Sequence, residues 1–227
     1  AIGTFQNAQM NWLFHRCEHV VFIGTSPDEA RYDSVAVNPV AGMAQAMEYL
    51  TSYGHQHIGL IGPSLSMYHH GQCMSYEVIE GNYLDAMRMH GLGKYGWVLR
   101  AQVDPAETKR LLQEYLRSGQ PLPTALLAAT RENAEGALQA LTEHQIAVPR
   151  DMSIVVFSDL VQAAEEGEMT SIEPQMDSMC RAAIRLLSEC MPGQALQIVR
   201  NVPKKSLIPP VLVRRNSVGE PREPQKK

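Results

Sequence analysis

The feature that most constrains this chain is a repeated switch between two apolar periodicities. Short runs such as HVVFIG, HIGLIG, TALLAA and MSIVVF are nearly unbroken and rich in aliphatic residues, the pattern of a strand buried on both faces. Between them lie longer segments with apolar residues at helical spacing, the pattern of a helix with one buried stripe. Strands alternating with helices in this way pair in parallel, because each helix carries the chain back across the sheet. The fold class is therefore α/β.

AIGTF opens as a strand and Asn7 to Arg16 as a helix, and HVVFIG ends in TSPDE, where Pro27 and Asp28 turn the chain before the strand SVAV. From Val40, Met43, Ala44, Met47 and Leu50 step at helical spacing toward Gly54, where a left-handed C-cap belongs. After HIGLIG, the stretch from Gly62 to Ser75 is rich in Ser, His and Gly and has no period. It exceeds the roughly 2 to 6 residues usual after a strand, and a long loop there is a place for ligand contact.

Ile79, Tyr83, Ala86, Met87 and His90 mark a helix closed by Gly91, with WVLR as the next strand. Asp104, Pro105 and Glu107 occupy the N-cap, N1 and N3 positions of a helix whose stripe of Leu111, Leu112, Tyr115 and Leu116 runs to Gly119. From Arg131 to His144 a helix puts Ala134, Ala137, Leu138 and Leu141 on one face. The acidic loop AAEEGE and the strand TSI lead to a last long helix, striped by Met176, Met179, Cys180, Ala183, Leu187 and Cys190. QIVRN and SLIPPVLV read as short closing strands. The tail from Gly219 has no apolar anchor and is expected to be disordered.

With 227 residues, 44% hydrophobic and 19% charged, the chain has core material for one or two domains and is neither disordered nor fibrous in composition. Its 20 Lys and Arg against 24 Asp and Glu leave a net charge of −4, and no window gathers enough base to neutralise a row of phosphates. These residues are not themselves a DNA-binding surface. The segment from Tyr49 to Tyr76 carries no Lys, Arg, Asp or Glu, but His55, His57, His69 and His70 break it, so no span of the ~18 apolar residues a membrane helix needs is expected. The start AIGTFQNAQMNWLF lacks the basic head and apolar run of a secretory signal, which points to the cytoplasm. Cys17, Cys73, Cys180 and Cys190 have no C-x-x-C spacing, so four reduced thiols are expected.

GLGKYG, from Gly91 to Gly96, spells the dinucleotide fingerprint G-x-G-x-x-G. It follows a helix and precedes a strand, the reverse of what a pyrophosphate at a helix N-terminus requires, so it reads as a helix-terminating loop. His15, Cys17 and His19 run from a helix end into a strand with no fourth ligand nearby. Asp151 and Asp159 lie about a strand length apart, and no G-x-S-x-G occurs. No catalytic residue, metal ligand or cofactor is expected. Doubly wound sheets bind ligands beyond the carboxyl ends of their strands, which selects Gly24 to Pro27, Pro63 to Met74, Ala101 to Val103, Thr130 to Glu132 and Ser158 to Leu160. His69 and His70, in the long loop, either hydrogen-bond a ligand or face solvent.

In register along the chain stand YGHQHIGLIGP, NYLDAM, PTALLAATRENAEGALQAL, VPRDMSIVVFSDL, MTSI and LIPPVLVRRNS. Together they resemble the effector-binding core of the lactose/galactose repressor (LacI/GalR) family of bacterial transcription regulators. VVFIGTSPDEARYDSVAV most resembles the subgroup containing repressors of β-galactosidase operons. The resemblance implies a periplasmic-binding-protein-like fold: two Rossmann-like parallel-sheet subdomains, joined by three crossovers near Asn38, Ile172 and Pro203, with the effector in the cleft between them. Residues 1–37 and 173–202 would form part of the N-terminal subdomain, incomplete in this chain. Residues 38–172 and 203–217 would form the C-terminal effector subdomain, and 218–227 a disordered tail. The family's helix-turn-helix, hinge helix and first βα units have no match here, so operator DNA is met only through a headpiece outside these residues. A homodimer and a small-molecule effector are the other implied partners.

Strand-end position and the resemblance together give the effector-binding set Gly24, His70, Ile79, Val103, Thr130, Arg131 and Ser158. Several depart from the family pattern. Ile79 stands where the family usually has Arg, Thr130 and Arg131 replace an Asn-Asp pair, Ser158 replaces the first Asp of a GFDD-like motif, and Gly24 stands where Asp is frequent. Carboxylates and guanidinium hold sugar hydroxyls by charge-assisted hydrogen bonds, and this cleft has exchanged most of them. Arg131 beside a helix N-terminus suits an acidic group such as a phosphate or carboxylate. A surface pair with Glu132 or Glu135, or an apolar ligand against Val103 and Ile79, are the alternatives. The expected function is the effector-sensing core of a repressor of a sugar-utilisation operon, not an enzyme. The alternative is a transport-type solute-binding protein of the same fold.

Overall fold

The computed structural model describes residues 1–2, 7–17, 19–24, 32–63, 77–158, 169–190 and 202–222. His69, His70, Cys73, Asp159, the loop AAEEGE and the segment QIVRN lie outside them. In chain order the elements are α1 (Asn7–Phe14), β1 (Val21–Ile23), β2 (Asp33–Val37), α2 (Pro39–Ser52), β3 (Ile58–Gly62), α3 (Glu77–Met89) and β4 (Trp97–Arg100). There follow α4 (Pro105–Arg117), β5 (Ala125–Ala128), α5 (Arg131–Glu143), β6 (Ser153–Phe157), β7 (Thr170–Glu173), α6 (Met176–Ser188), β8 (Lys205–Ile208) and β9 (Val211–Val213).

The strands form two sheets. The first has the order β1-β2-β8 and is parallel throughout. The second has the order β4-β3-β5-β6-β7-β9, parallel except for β9, which runs antiparallel to β7. Side chains alternate across a strand, so β3 and β5 feed two cores at once. Leu60 and Leu127 meet Met43, Met47 and Leu50 of α2 and Tyr83 and Met87 of α3 on one face. Ile61 and Leu126 meet Leu112 of α4 and Ala137 and Leu141 of α5 on the other. Met47 and Leu50 are wholly buried, each contributing roughly 1.5–3 kcal/mol. The first sheet has its own core, in which Val21, Ile23 and Val35 pack against Met179, Ala183 and Leu186 of α6.

Helix starts follow from local chemistry. Asn38 caps α2 by accepting the Ala41 N–H at 3.1 Å, with Pro39 inside the first turn, and Gly54 ends the helix at φ +95°. Asp104 caps α4 by accepting from Ala106 and Glu107, while Glu107 reaches past the cap to accept the Gln102 N–H at 3.2 Å.

Of AIGTF, residues 3–6 lie outside the described residues, and Ile2 forms a parallel bridge to Ile23. Two expectations are corrected. SLIPPVLV is not one closing strand, because Pro209 and Pro210 offer no N–H to a ladder and the chain changes sheets there: β8 pairs with β2 and β9 with β7. Residues 203–208 therefore side with the first sheet, and the crossings fall at Asn38, at Pro174–Gln175 and at Pro209–Pro210. The stretch 218–222 is packed, not loose. Val218 joins the core, Gly219 donates to Ser153 Oγ at 3.0 Å, and Arg222 pairs with Asp151 at 2.9 Å. Composition registered the few apolar residues there but not the backbone groups that hold it.

Candidate functional site

The second sheet reverses its winding direction between β3 and β5: the chain steps from β3 outward to β4, then returns to add β5, β6 and β7 on the other side. Such a switch point leaves a crevice beyond the carboxyl ends of the two strands. Gly62 and Ala129 pack closely at these strand ends, since a Cβ on Gly62 would lie 2.5 Å from the Ala129 Cβ. The strand ends are held by backbone bonds from Ala101 to Gly62 O at 3.0 Å, from Ala129 to Ile61 O at 2.8 Å and from Ser158 to Ile172 O at 3.0 Å.

At this edge Thr130 is buried, and its hydroxyl is committed to capping α5. Oγ1 accepts the Asn133 N–H at 3.1 Å and donates to Asn133 Oδ1 at 2.9 Å. Asn133 is itself wholly buried and donates through Nδ2 to Gln102 O at 2.8 Å and to Thr108 Oγ1 at 2.9 Å. This knot locks the loop after β4 to the loop after β5. Arg131 is the first residue of α5 and half-buried, Ser158 is half-buried at the end of β6, and Val103 is 41% exposed. Those four stand beyond the carboxyl ends of β4, β5 and β6, three strands of one sheet. Ile79 is half-buried and packs on the α2/α3 core cluster. Gly24 lies on the other sheet, at the end of β1, with φ +91° and its N–H bonded to Val35 O at 2.8 Å. His70 lies outside the described residues.

Sequence reasoning missed Asn133, Thr108 and Asn82. The Thr130-x-x-Asn133 spacing is an N-cap/N3 signature and could have exposed the knot. Asn82, on the turn of α3 after Ile79, keeps its Nδ2 buried and without a hydrogen-bond partner among the described residues. Beside it on the helix, Glu80 binds Arg100 at the end of β4, with Nε to Oε2 at 3.2 Å, and this holds the Arg100 proton more firmly than usual. GLGKYG terminates α3 and forms a short 3-10 turn, Gly93–Tyr95, ahead of β4. Among the described residues no group of His, Cys, Asp and Glu could hold a metal, and no helix is long and apolar enough to cross a membrane.

The family described as the periplasmic binding protein-like domain matches residues 47–218. The chain belongs to that family. This periplasmic-binding-protein-like chain is 29% identical over 221 residues to the HTH-type transcriptional repressor MelR of Bacillus subtilis (strain 168), covering 96% of the chain and 62% of MelR. It thus spans less than two thirds of that relative's length. A LacI transcriptional regulator from a Rhodococcus species shares its fold with a TM-score of 0.77 at 24% identity, covering 96% of this chain and 76% of the other. The LacI family regulator CCPA from Weissella paramesenteroides, with bound sucrose, gives 0.72 at 20% identity, covering 94% and 74%. The lactose/galactose repressor resemblance and the periplasmic-binding-protein-like α/β fold read from the sequence both hold.

Proposed function

We propose that these residues are the effector-sensing regulatory core of a cytoplasmic bacterial transcription regulator that represses a sugar-utilisation operon. The observation that carries this reading is the similarity to MelR across nearly the whole chain. In it the two sheets are the cores of two subdomains, residues 1–37 with 173–208 and residues 38–172 with 209–222. The effector sits between them, met by Gly24 from one side and by His70, Ile79, Val103, Arg131 and Ser158 from the other. Thr130 acts by shaping the edge, because its hydroxyl is already engaged. Effector binding shifts the balance between subdomain arrangements without any bond being made or broken, so the role is binding and not catalysis. Operator DNA is met by a headpiece outside these residues, and a homodimer presents two headpieces to a two-fold site. The net charge of −4 supports that division of labour. A transport-type solute-binding role has less support, since MelR is an HTH-type repressor.

The effector is a sugar or sugar derivative, and Arg131 at the α5 N-terminus favours an acidic one. Calorimetric titration of wild type and Arg131→Ala with neutral sugars and with their phosphorylated or acid forms tests this. Acid forms binding more tightly, with the preference lost in the variant, are expected. Tight neutral-sugar binding indifferent to Arg131→Ala rules out the acidic effector, and no sugar binding of any kind rules out the sugar reading.

A further inference from the structure

The third crossing, Ile208–Pro209–Pro210, presents three consecutive carbonyls, and each accepts a hydrogen bond from a different part of the chain. Asn38 N, at the first crossing, donates to Ile208 O at 2.8 Å. Gln175 Nε2, at the second, donates to Pro209 O at 2.9 Å. Gln45 Nε2, on α2, donates to Pro210 O at 2.9 Å. The prolines have no N–H and a ring-held φ, so Pro209 and Pro210 are stiff and can only accept. Gly42 lets it lie close to α2, since a Cβ there would be 3.0 Å from Pro210 Cγ and 3.1 Å from Ile172 Cγ2.

The two glutamines reach the crossing from opposite sides. Gln175 precedes α6, which packs on the first sheet, and Gln45 belongs to α2, which packs on the second. Among the described residues no apolar cluster draws on both sheets. A change of angle between the sheets therefore leaves each core whole and falls on the crossings.

We infer that Gln45 and Gln175 are positioning residues that set the resting angle between the two sheets, and with it the separation of Gly24 from Thr130 and Ser158. The angle itself is independent of the proposed function, and only its effect on ligand affinity rests on that reading. A neutral amide-to-carbonyl bond biases a two-state balance by roughly threefold to tenfold, enough to retune a sensor without unfolding it.

The test is the distance between spin labels attached through an introduced ketone amino acid at Arg181 on α6 and Gln139 on α5, both exposed, in the longest native chain carrying these residues. Gln175→Leu and Gln45→Leu are each expected to shift the distance distribution or enlarge a second population, roughly threefold to tenfold. Gln113→Leu, which removes a bond to Glu143 within the second-sheet helices, is expected to change nothing. If Gln45→Leu does not fold, the exposed Gln175 bond decides alone. Distributions unchanged from wild type overturn the inference, including when the melting temperature falls. A shifted distribution without any sugar binding upholds it while removing the proposed function.

Discussion

Asn133 Nδ2 donates to the carbonyl of Gln102 at 2.8 Å and so joins two loops that the chain leaves at the ends of adjacent helix-bearing units. The same carboxamide holds the buried Thr108 and Thr130. Asn133→Ala takes the amide donor from Gln102 O and Thr108 Oγ1 and the acceptor from the Thr130 hydroxyl, and a loss of about 1–3 kcal/mol is expected. Thr130→Val removes the cap and is expected to cost about 1 kcal/mol. Urea denaturation of both variants measures this, and an unchanged midpoint for Asn133→Ala contradicts the buried knot.

His55 supplies the pH dependence on the alkaline side of acid unfolding. Its ring is buried between Thr124, Ser153 and the Gly219 carbonyl, and since that carbonyl only accepts, Nε2 carries the proton of the neutral ring. Burial lowers its pKa, partly opposed by the Gly219 carbonyl. A histidine lowered in the folded state contributes stability that is full above its unfolded pKa of about 6.5 and is lost as pH falls toward the folded value. Stability is therefore expected to decline as pH drops below about 6.5, with a flatter profile in His55→Gln. Equal slopes in the two proteins would remove His55 as the cause.

Asp151 governs a separate, more acidic window. The Arg150 guanidinium, the Ala147 N–H and the Arg222 charge hold its carboxyl down at about 2, from an ordinary 3.8. Its stabilising contribution is present above pH 3.8 and lost as pH falls through about 2. Carboxyl chemical shifts across an acid titration should place its midpoint near 2. Asp151→Asn is expected to loosen residues 219–222, seen as faster amide exchange at Gly219, and unaltered exchange there would speak against the anchor.

Gly136 is where α5 touches the start of α4. A Cβ there would lie 2.3 Å from Pro105 O and 2.8 Å from the Thr108 Cβ, backbone and branched carbon that cannot swing aside. Gly136→Ala is expected to destabilise by roughly 1–3 kcal/mol through overpacking, despite alanine's better helix propensity. A raised melting temperature would show that the helices separate freely.

The sequence by itself determined the alternation of strands and helices, the faces they bury and where most helices begin. Those properties follow from side-chain period and from caps that act within a few residues, as at Asn38 and Asp104. It also located the ends of β4, β5 and β6, because a strand end is a local event. Only the tertiary structure decided that SLIPPVLV divides between two sheets, that Thr130 is spent on Asn133, that the 218–222 segment is anchored by His55, Ser153 and Asp151, and that two glutamines meet one proline pair. Each of these is a contact between residues far apart in the chain. Periodicity records that a position will be buried or paired, but the partner is chosen when the sheets assemble, and no local signal carries its identity.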